Sequence, residues 1–320
     1  MVLEQDDVHL SRCFDIVWGL SGWGYLALSK NRSFDYTNAV GREFGNYVVV
    51  RELGRGAMAA VFVAYQKTLK RQVAIKLLPK ALATTRIAQQ QFRDEAETIA
   101  VLDHPNLITI FDSGEDDDYF FQVMQLIEGQ DLAQLLKKLR LHPVPSRRLL
   151  PMDHVLRLIN EVLSGLSYAH DSGVVHQDLK PANILIENRN GRALIADFGI
   201  AKAKQAEYLA RGLVVGTPTY LSPEQAAAKD TDGRTDLYAV GVMLLELLAG
   251  KLPIRIENAN ETVARKIRQP ESFFISTPSD CHPRITPMLE TVILRATQTD
   301  PVRRYPNAQS FANSLAEAQA

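Results

Sequence analysis

Four side chains able to do chemistry lie close together in the second half of the sequence. Residues 175–183 read Val-His-Gln-Asp-Leu-Lys-Pro-Ala-Asn, and Ala-Asp-Phe-Gly follows at residues 196–199. These segments supply two carboxylates, an ammonium and a carboxamide, which belong to Asp178, Asp197, Lys180 and Asn183. Transfer of a phosphoryl group to a hydroxyl needs such a set: a carboxylate to orient the hydroxyl, a cation for the moving group, and oxygens to hold Mg²⁺. The spacing therefore predicts one site.

The composition limits the classes to which the chain can belong. Its 320 residues are 46% hydrophobic and 23% charged, enough for one large globular domain or two lobes. A net charge of −1 gives no sign of a nucleic-acid or acidic-membrane partner. Cys13 and Cys281 are the only cysteines, too few for a disulfide framework or a zinc site. We therefore expect a cytoplasmic location and no nucleic-acid partner.

Residues 1–43 form an extension whose structure the sequence does not predict. Its apolar stretch, 13–28, is shorter than the roughly 20 apolar residues of a membrane-spanning helix and is interrupted by Asp15 and glycines. The acidic residues near the start, Glu4, Asp6 and Asp7, argue against a signal peptide. A packed or partly disordered extension, a contact with a partner or membrane surface, and a membrane anchor all stay open. We expect no transmembrane span.

From Tyr47 the sequence is typical of strands, with a glycine-rich turn between the first two. In Gly54-Arg55-Gly56, the missing Cβ atoms let backbone N–H groups approach phosphate oxygens, although an ordinary tight hairpin has the same pattern. Lys76 lies at the end of a third apolar strand, from which its side chain can reach back under the turn. Its position favours a phosphate-binding loop over an ordinary hairpin. Glu95, on a helix predicted for 92–102, can pair with Lys76. At an effective dielectric near 20, such a pair about 4 Å apart gains roughly 4 kcal/mol before desolvation.

The second half of the chain has the periodicity of helices. One long helix is indicated by an apolar face at Val155, Leu158, Ile159, Val162, Leu163 and Leu166. Another is indicated by Leu237, Val240, Leu244 and Leu248. Strands 107–111 and 120–124 complete a small antiparallel sheet, helices 288–297 and 308–318 close the chain, and 139–153 is expected to be a surface loop. The predicted fold class is α+β.

Taken in order, these motifs resemble those of the protein kinases, specifically the Hanks-type serine/threonine kinases of bacteria. The resemblance covers roughly residues 44–318. It implies the bilobal protein-kinase fold: an N-lobe at 44–128 with a small antiparallel β-sheet and one long helix, and a mainly helical C-lobe at 129–320. Lys180, two residues beyond Asp178, and Gly216-Thr217-Pro218-Thr219-Tyr220 are similar to serine/threonine kinases and unlike tyrosine kinases.

The resemblance also implies a role for each site residue. Asp178 is the expected catalytic carboxylate, and Lys180 is the lysine that assists it. Lys76 is expected to contact the α- and β-phosphates, with Glu95 as its partner. Asn183 and Asp197 are the expected ligands of Mg²⁺ or Mn²⁺. ATP is expected to contact the glycine loop, apolar residues above and below the adenine, the gatekeeper, the hinge and a residue near the ribose: Leu53, Gly54, Gly56, Val61, Ala74, Met124, Gln125, Leu126, Ile127, Asp131 and Leu185.

Other matching residues are expected to hold the fold. His176 is predicted to stack on Phe198 and to be neither a base nor a metal ligand. Asp236 is predicted to anchor the backbone of the catalytic loop, since a buried carboxylate needs hydrogen-bond donors. Glu224 is predicted to pair with Arg304.

Three positions depart from the family pattern. Ala59 and Ser222 are small replacements of little consequence, but Gln177 stands where most relatives have arginine. A neutral carboxamide does not form the charged contact of that arginine with a phosphate on the activation loop. Between residues 200 and 216 there is no serine or threonine, and Tyr208 is the only hydroxyl. Our hypothesis is a kinase that needs no activation-loop phosphate, with the loop held by packing of Leu209, Leu213, Val214 and Val215.

The interpretation favoured by these residues is an ATP- and Mg²⁺-dependent serine/threonine kinase acting on protein substrates. A nucleotide-binding pseudokinase scaffold is the alternative, disfavoured because the catalytic set is complete. A small-molecule phosphotransferase of related fold would not be expected to keep the Gly-Thr-Pro and Ser-Pro-Glu segments. The sequence stops soon after the last predicted helix, as in a soluble enzyme or a fragment. It does not predict the physiological substrate, the upstream signal or the oligomeric state.

Overall fold

The computed structural model describes residues 36–56, 59–83, 86–198, 218–255 and 257–319. Most of the predicted extension, residues 1–35, lies outside this part. Its last residues pack on the N-terminal sheet: Tyr36 and Ala39 are buried, and the Tyr36 ring lies 6.0 Å from Phe62 and 6.4 Å from Tyr119. The end of the extension is thus part of the core of the first lobe.

The described part of the first lobe contains six antiparallel strands and one α-helix. They are β1 (Glu43–Phe44), β2 (Tyr47–Arg55), β3 (Ala60–Gln66), β4 (Arg71–Pro79), α1 (Arg86–Ala100), β5 (Ile110–Glu115) and β6 (Tyr119–Met124), with the strand order β1-β2-β3-β4-β6-β5. The strand predicted at 107–111 begins later, because Leu107 and Ile108 pair with Ile195 of the other lobe. Helix α1 begins earlier than predicted, since a run rich in Ala, Gln and Arg favours helix without an apolar stripe.

Strand β4 has its side chains buried from Val73 onward because both faces of the sheet are covered. Alternate residues point to opposite faces of a strand. One face of the sheet carries an apolar cluster that contains Phe62 together with Val73, Ile75 and Leu77. Ala74 belongs to a second apolar cluster, together with Val61 and Val63. Strand pairing places Val61 opposite Lys76 and Ala74 opposite Met124. Period-two alternation thus directs Lys76 and Ala74 to the same cleft.

A second, three-stranded sheet positions the loops with the predicted catalytic and metal-binding residues. It consists of β7 (Gly129–Asp131), β8 (Ile184–Glu187) and β9 (Ala193–Ile195), in that order. Strand β8 follows residues 176–183, and β9 leads into Asp197. Because β8 and β9 pair antiparallel, with Ile184 opposite Ile195, both segments lie at the same end of the sheet.

Helices form most of the remaining structure. They are α2 (Leu132–Arg140), α3 (Met152–Asp171), α4 (Pro223–Ala226), α5 (Gly233–Ala249), α6 (Ala259–Arg268), α7 (Pro278–Cys281), α8 (Pro287–Ala296) and α9 (Ala308–Glu317). The α3 face predicted from the sequence is buried in the main core, and α5 is buried on nearly all sides. Helix α5 begins at its N-cap Asp232 and ends at Gly250, whose φ of 79° suits glycine. Of the helices in the described ranges, none has both the length and the apolar character that crossing a bilayer requires.

Candidate active site

A buried carboxylate in the first turn of α5 fixes the loop that holds the predicted catalytic residues. Asp236 accepts hydrogen bonds from the backbone N–H groups of His176 and Gln177, both at 2.8 Å, and from His170 Nε2 at 2.8 Å. Gln177 has a φ of 65°, in the left-handed region that non-glycine residues seldom adopt. Its carbonyl also accepts from Gln225 Nε2 at 2.6 Å. The predicted anchor is therefore confirmed, and it holds a strained residue next to Asp178.

The imidazole of His176 connects this loop to the segment before Asp197. Its Nε2 lies 3.1 Å from the carbonyl oxygen of Ala196, and its Nδ1 accepts from the N–H of Asp178 at 3.2 Å. The ring centroid is 4.8 Å from that of Phe198. The predicted contact with Phe198 is confirmed, but the two rings are tilted by 43° and do not stack. His176 positions both acids through their neighbouring backbone.

Three polar side chains of the loop converge on one point. Lys180 Nζ lies 2.7 Å from Asp178 Oδ2, and Asn183 Nδ2 donates to the carbonyl oxygen of Asp178 at 2.9 Å. The Asp178 side chain is 32% exposed, whereas that of Lys180 is only 5% exposed. The carboxylate therefore faces open space with the ammonium behind it, an arrangement suited to receiving a proton from an incoming group.

Lys76 lies on the opposite wall of the cleft, with Asp197 as its described ionic partner. The distance from Lys76 Nζ to Asp197 Oδ1 is 3.0 Å, and the lysine side chain is 1% exposed. A buried ammonium needs such a partner. The sequence predicted Glu95 for this role. Glu95 does lie on α1, but its side chain is outside the described part, so that pair stays a prediction.

Asn183 and Asp197 lie next to each other as a result of one backbone contact. The N–H of Ala196 donates to the carbonyl oxygen of Asn183 at 2.9 Å. Since the amide nitrogen of Asn183 is engaged with Asp178, its Oδ1 is the atom suited to a metal ion. An amide oxygen and a carboxylate fit a Mg²⁺-type cation that also binds phosphate oxygens and water.

An apolar cluster between the two sheets contains six of the seven apolar residues predicted to contact ATP, and the seventh, Leu126, is partly buried and packs against it. The six are Leu53, Val61, Ala74, Met124, Ile127 and Leu185. The same cluster includes four residues that were not predicted, namely Val63, Ile108, Leu194 and Ala196. Strand pairing could have indicated Leu194, since it lies opposite Leu185 in register. Gly54 pairs with Val61 of this cluster, and the N–H of Gly56 donates to the carbonyl oxygen of Ala59 at 2.8 Å, so the described part of the glycine-rich segment is held to the strand that carries Val61.

Two predicted nucleotide contacts have structural duties in the chain itself. Asp131 is completely buried and caps α2, accepting from the N–H of Gln134 at 2.9 Å. Its contact with a ribose stays a prediction. The N–H of Gln125 donates to the carbonyl oxygen of Thr109 at 2.9 Å. An adenine contact at Gln125 would therefore use its carbonyl oxygen, since each residue has only one N–H.

Comparison with known proteins adds the decisive observation. The family model described as the protein kinase domain matches residues 47–315. The chain belongs to the protein kinase family. Similar curated proteins include the serine/threonine-protein kinase PksC of Streptomyces coelicolor, 36% identical over 83% of this chain, and PrkC of Bacillus subtilis, also 36% identical over 83%. The chain spans 48% and 39% of the lengths of these two relatives.

Solved structures agree with this assignment. The crystal structure of the Mycobacterium tuberculosis PknI kinase domain is 30% identical to this chain with a TM-score of 0.68. The alignment covers 88% of this chain and 99% of the PknI chain. The predicted bilobal kinase fold, with a sheet-rich N-lobe and a helical C-lobe, is thereby confirmed.

A buried ion pair joins α4 to the segment before α9. Arg304 donates to both oxygens of Glu224 at 2.7 Å, confirming the predicted pair. Thr235 donates to the same carboxylate at 2.8 Å. Burial acts to raise the pKa of Glu224, but the hydrogen bonds and charge of Arg304 outweigh it and hold the pKa below its ordinary value. The carboxylate is thus kept ionised in the core.

Gln177 occupies a polar environment of its own. Its Nε2 donates to Thr231 Oγ1 at 3.3 Å, and the side chain is buried. The predicted packing of Leu209, Leu213, Val214 and Val215, and the lone hydroxyl of Tyr208, lie outside the described residues. The carboxamide therefore connects the loop at residues 176–183 with the segment before α5.

A pocket beside Lys180 was not predicted from the sequence. Its volume is about 140 Å³, and its polar lining comprises Lys180, Arg140, Tyr220 and Glu246. Glu246 accepts from the Tyr220 hydroxyl through one oxygen and pairs with Arg140 through the other. The only local signal was an acid within the apolar run Met-Leu-Leu-Glu-Leu-Leu at 243–248. Such an acid needs buried partners, but its sequence neighbours do not identify them.

Proposed function

We propose that the chain is a serine/threonine protein kinase that transfers the γ-phosphoryl group of ATP to hydroxyls of protein substrates. The observation that carries this proposal is the convergence of Asp178 and Asp197. Asn183 contacts Asp178 through its amide and the backbone beside Asp197 through its carbonyl. Both acids therefore serve one cleft, with the apolar cluster on one side and the pocket beside Lys180 on the other.

The geometry supports a direct transfer. The substrate hydroxyl oxygen forms a bond to the γ-phosphorus, the bond from that phosphorus to the β,γ-bridging oxygen breaks, and ADP leaves. Asp178 orients the hydroxyl and takes its proton. Lys180, 2.7 Å behind it, places a positive charge next to the moving group. Lys76 holds the α- and β-phosphates, which would share its ammonium with Asp197.

Asn183 and Asp197 would hold the divalent cation. When bound, Mg²⁺ neutralises phosphate charge and orients the γ-phosphoryl group. Two hard oxygen ligands favour Mg²⁺ or Mn²⁺ over softer metals, and we propose Mg²⁺ as the working ion. We also propose that the kinase works in the cytoplasm, where ATP and Mg²⁺ are available.

We infer that activity does not depend on a phosphate on the activation loop. Gln177 is neutral, and its amide is bonded to Thr231. It therefore lacks the positive charge that would bind a nearby phosphate. Phosphate mapping of the purified active protein tests this. We expect full activity with residues 200–219 unmodified, and a phosphorylated Tyr208, Thr217 or Thr219 whose removal abolishes activity would overturn the inference.

The experiment for the main proposal measures transfer from labelled ATP to a generic basic protein with Mg²⁺. Wild type is compared with Asp178→Asn, which keeps the shape of the side chain but not its basicity. We expect at least about a hundredfold lower rate in the variant, equivalent to about 2.7 kcal/mol of barrier. Equal rates for both proteins, or no ATP binding by wild type, would contradict the proposal.

A further inference from the structure

Lys266, near the end of α6, is fully buried although it has no part in the cleft described above. Lysine is among the side chains that are almost never buried without a partner. Here the side chain is 1% exposed, and Nζ donates to the carbonyl oxygens of Thr219 at 2.8 Å and Leu221 at 2.6 Å. It also donates to the Tyr238 hydroxyl at 3.2 Å. The three N–H donors of the ammonium therefore each have an acceptor.

Aromatic rings complete the surroundings of the ammonium. Nζ lies 3.9 Å from the ring centroid of Phe273 and 4.8 Å from that of Tyr238. Two carbonyl dipoles and two ring faces thus take the place of water around a positive charge. Burial, which is the largest influence, still lowers the pKa of Lys266 well below its ordinary value. Burying an ammonium costs free energy of folding. We expect such an arrangement where the position of the hydrogen-bond acceptors matters for function.

The acceptors are the two carbonyls that flank Tyr220. While both carbonyls point to Lys266, the Tyr220 side chain extends to Glu246 and lines the pocket beside Lys180. Helix α6 also contacts the same segment through apolar groups, since Val263 packs with Leu221 and Ala226. Lys266 therefore holds the backbone on both sides of a residue that forms the pocket wall.

We propose that Lys266 is a positioning residue for the protein substrate. By fixing the segment 219–221, it keeps the Tyr220 wall of the pocket in the shape that receives the substrate chain next to Asp178 and Lys180. This rests on the proposed protein kinase activity. Lys76 and Asp197, which are predicted to bind the nucleotide and its metal ion, are held by other contacts. The hydrogen bonds of Lys266 therefore affect binding of the protein substrate and leave ATP binding unchanged.

The test replaces Lys266 by methionine, which has similar length and no donor. Lys266→Met leaves two buried carbonyls without their donor, so the segment shifts toward other hydrogen-bond donors. With a generic basic protein as substrate, we expect KM for that protein to rise at least about fivefold and KM for ATP to change less than twofold. Ile267→Ala, at the exposed neighbour on the same helix, is the matched control and should change neither value.

Two further variants separate positioning from general stability. Val263→Ala removes apolar contact with the same segment but keeps the ammonium, and should lower the unfolding temperature with less effect on KM for the protein. If Lys266→Met does not fold, Lys266→Gln, whose amide keeps two N–H donors but no charge, is measured against the same thresholds. The proposal is overturned if KM for the protein stays within twofold, or if KM for ATP rises equally. Absence of any transfer by wild type would instead refute the kinase activity itself.

Discussion

Replacing Asp236 by asparagine separates the anchoring of the catalytic loop from the chemistry. The carboxylate receives three hydrogen bonds through two oxygens, two at Oδ2 and one at Oδ1. An asparagine whose oxygen takes the Oδ2 position keeps the bonds from His176 and His170. Its NH₂ group then faces the N–H of Gln177, which is left without an acceptor. A buried hydrogen bond to a charged group contributes about 1.5–3 kcal/mol, so we expect a loss of about 2 kcal/mol in the free energy of unfolding.

The functional consequence follows from the backbone of Gln177. Its φ of 65° is held by the lost bond, and a strained conformation of this kind costs on the order of 1–3 kcal/mol. Release of the strain would move Asp178, the next residue. We therefore expect kcat of Asp236→Asn to fall at least about tenfold, which corresponds to about 1.4 kcal/mol. KM for ATP should change less than twofold, since Lys76 and the apolar cluster are untouched.

Urea unfolding and steady-state kinetics of the same preparations measure both effects. Asp232→Asn is the matched control, because Asp232 caps the same helix from an exposed position and asparagine is an equally good N-cap. It should leave stability within about 0.5 kcal/mol and kcat unchanged. An Asp236→Asn protein with lowered stability and wild-type kcat would refute the reasoning that this carboxylate positions Asp178.

Three other predictions concern the ion pairs and the apolar cluster. Breaking the Glu224–Arg304 pair by Glu224→Gln should lower the free energy of unfolding by about 3–5 kcal/mol at neutral pH, because Arg304 stays buried. Since the pKa of Glu224 is held below 4.5, the carboxylate makes its full contribution to the free energy of unfolding above that pH. This contribution is lost as pH falls through the folded-state pKa. The unfolding temperatures of wild type and variant should therefore converge in acid. Ala74→Leu should fill the adenine cluster and weaken ATP binding at least about tenfold by calorimetry, and unchanged affinity would contradict the assigned pocket. Lys76→Met removes the partner of Asp197 and should lower kcat at least about a hundredfold in the labelled-ATP assay, whereas a smaller change would argue against its contact with phosphate.

Local patterns predicted the parts of the fold that depend on neighbours in sequence. Alternation in β4 placed Lys76 and Ala74 on one face, and the apolar stripe of α3 is buried as predicted. Asp131 also had a local signal, because an aspartate before a helix is a typical N-cap, although the motif directed attention to ribose. Local chemistry and family resemblance thus indicated different duties for the same side chain.

Contacts between distant segments could be predicted from the sequence only where both partners belong to recognised family motifs. The resemblance predicted the pair of Glu224 and Arg304, which are 80 residues apart. No motif linked Lys266 to Thr219, 47 residues away, or Glu246 to Arg140, 106 residues away. Periodicity shows which face of a helix is buried but not which carbonyls or cations meet it. The pocket beside Lys180 and its support by α6 are therefore results of the tertiary structure alone.

The most direct test identifies the phosphate acceptors residue by residue. A generic basic protein is incubated with ATP and Mg²⁺ and either wild type or Asp178→Asn, and its phosphorylated residues are located by mass spectrometry. ATP binding by both proteins is measured in parallel. We predict phosphate on serine and threonine with wild type, at least about a hundredfold less with the variant, and similar ATP affinity for the two. Binding of ATP by wild type without phosphorylation of any protein hydroxyl would contradict the account.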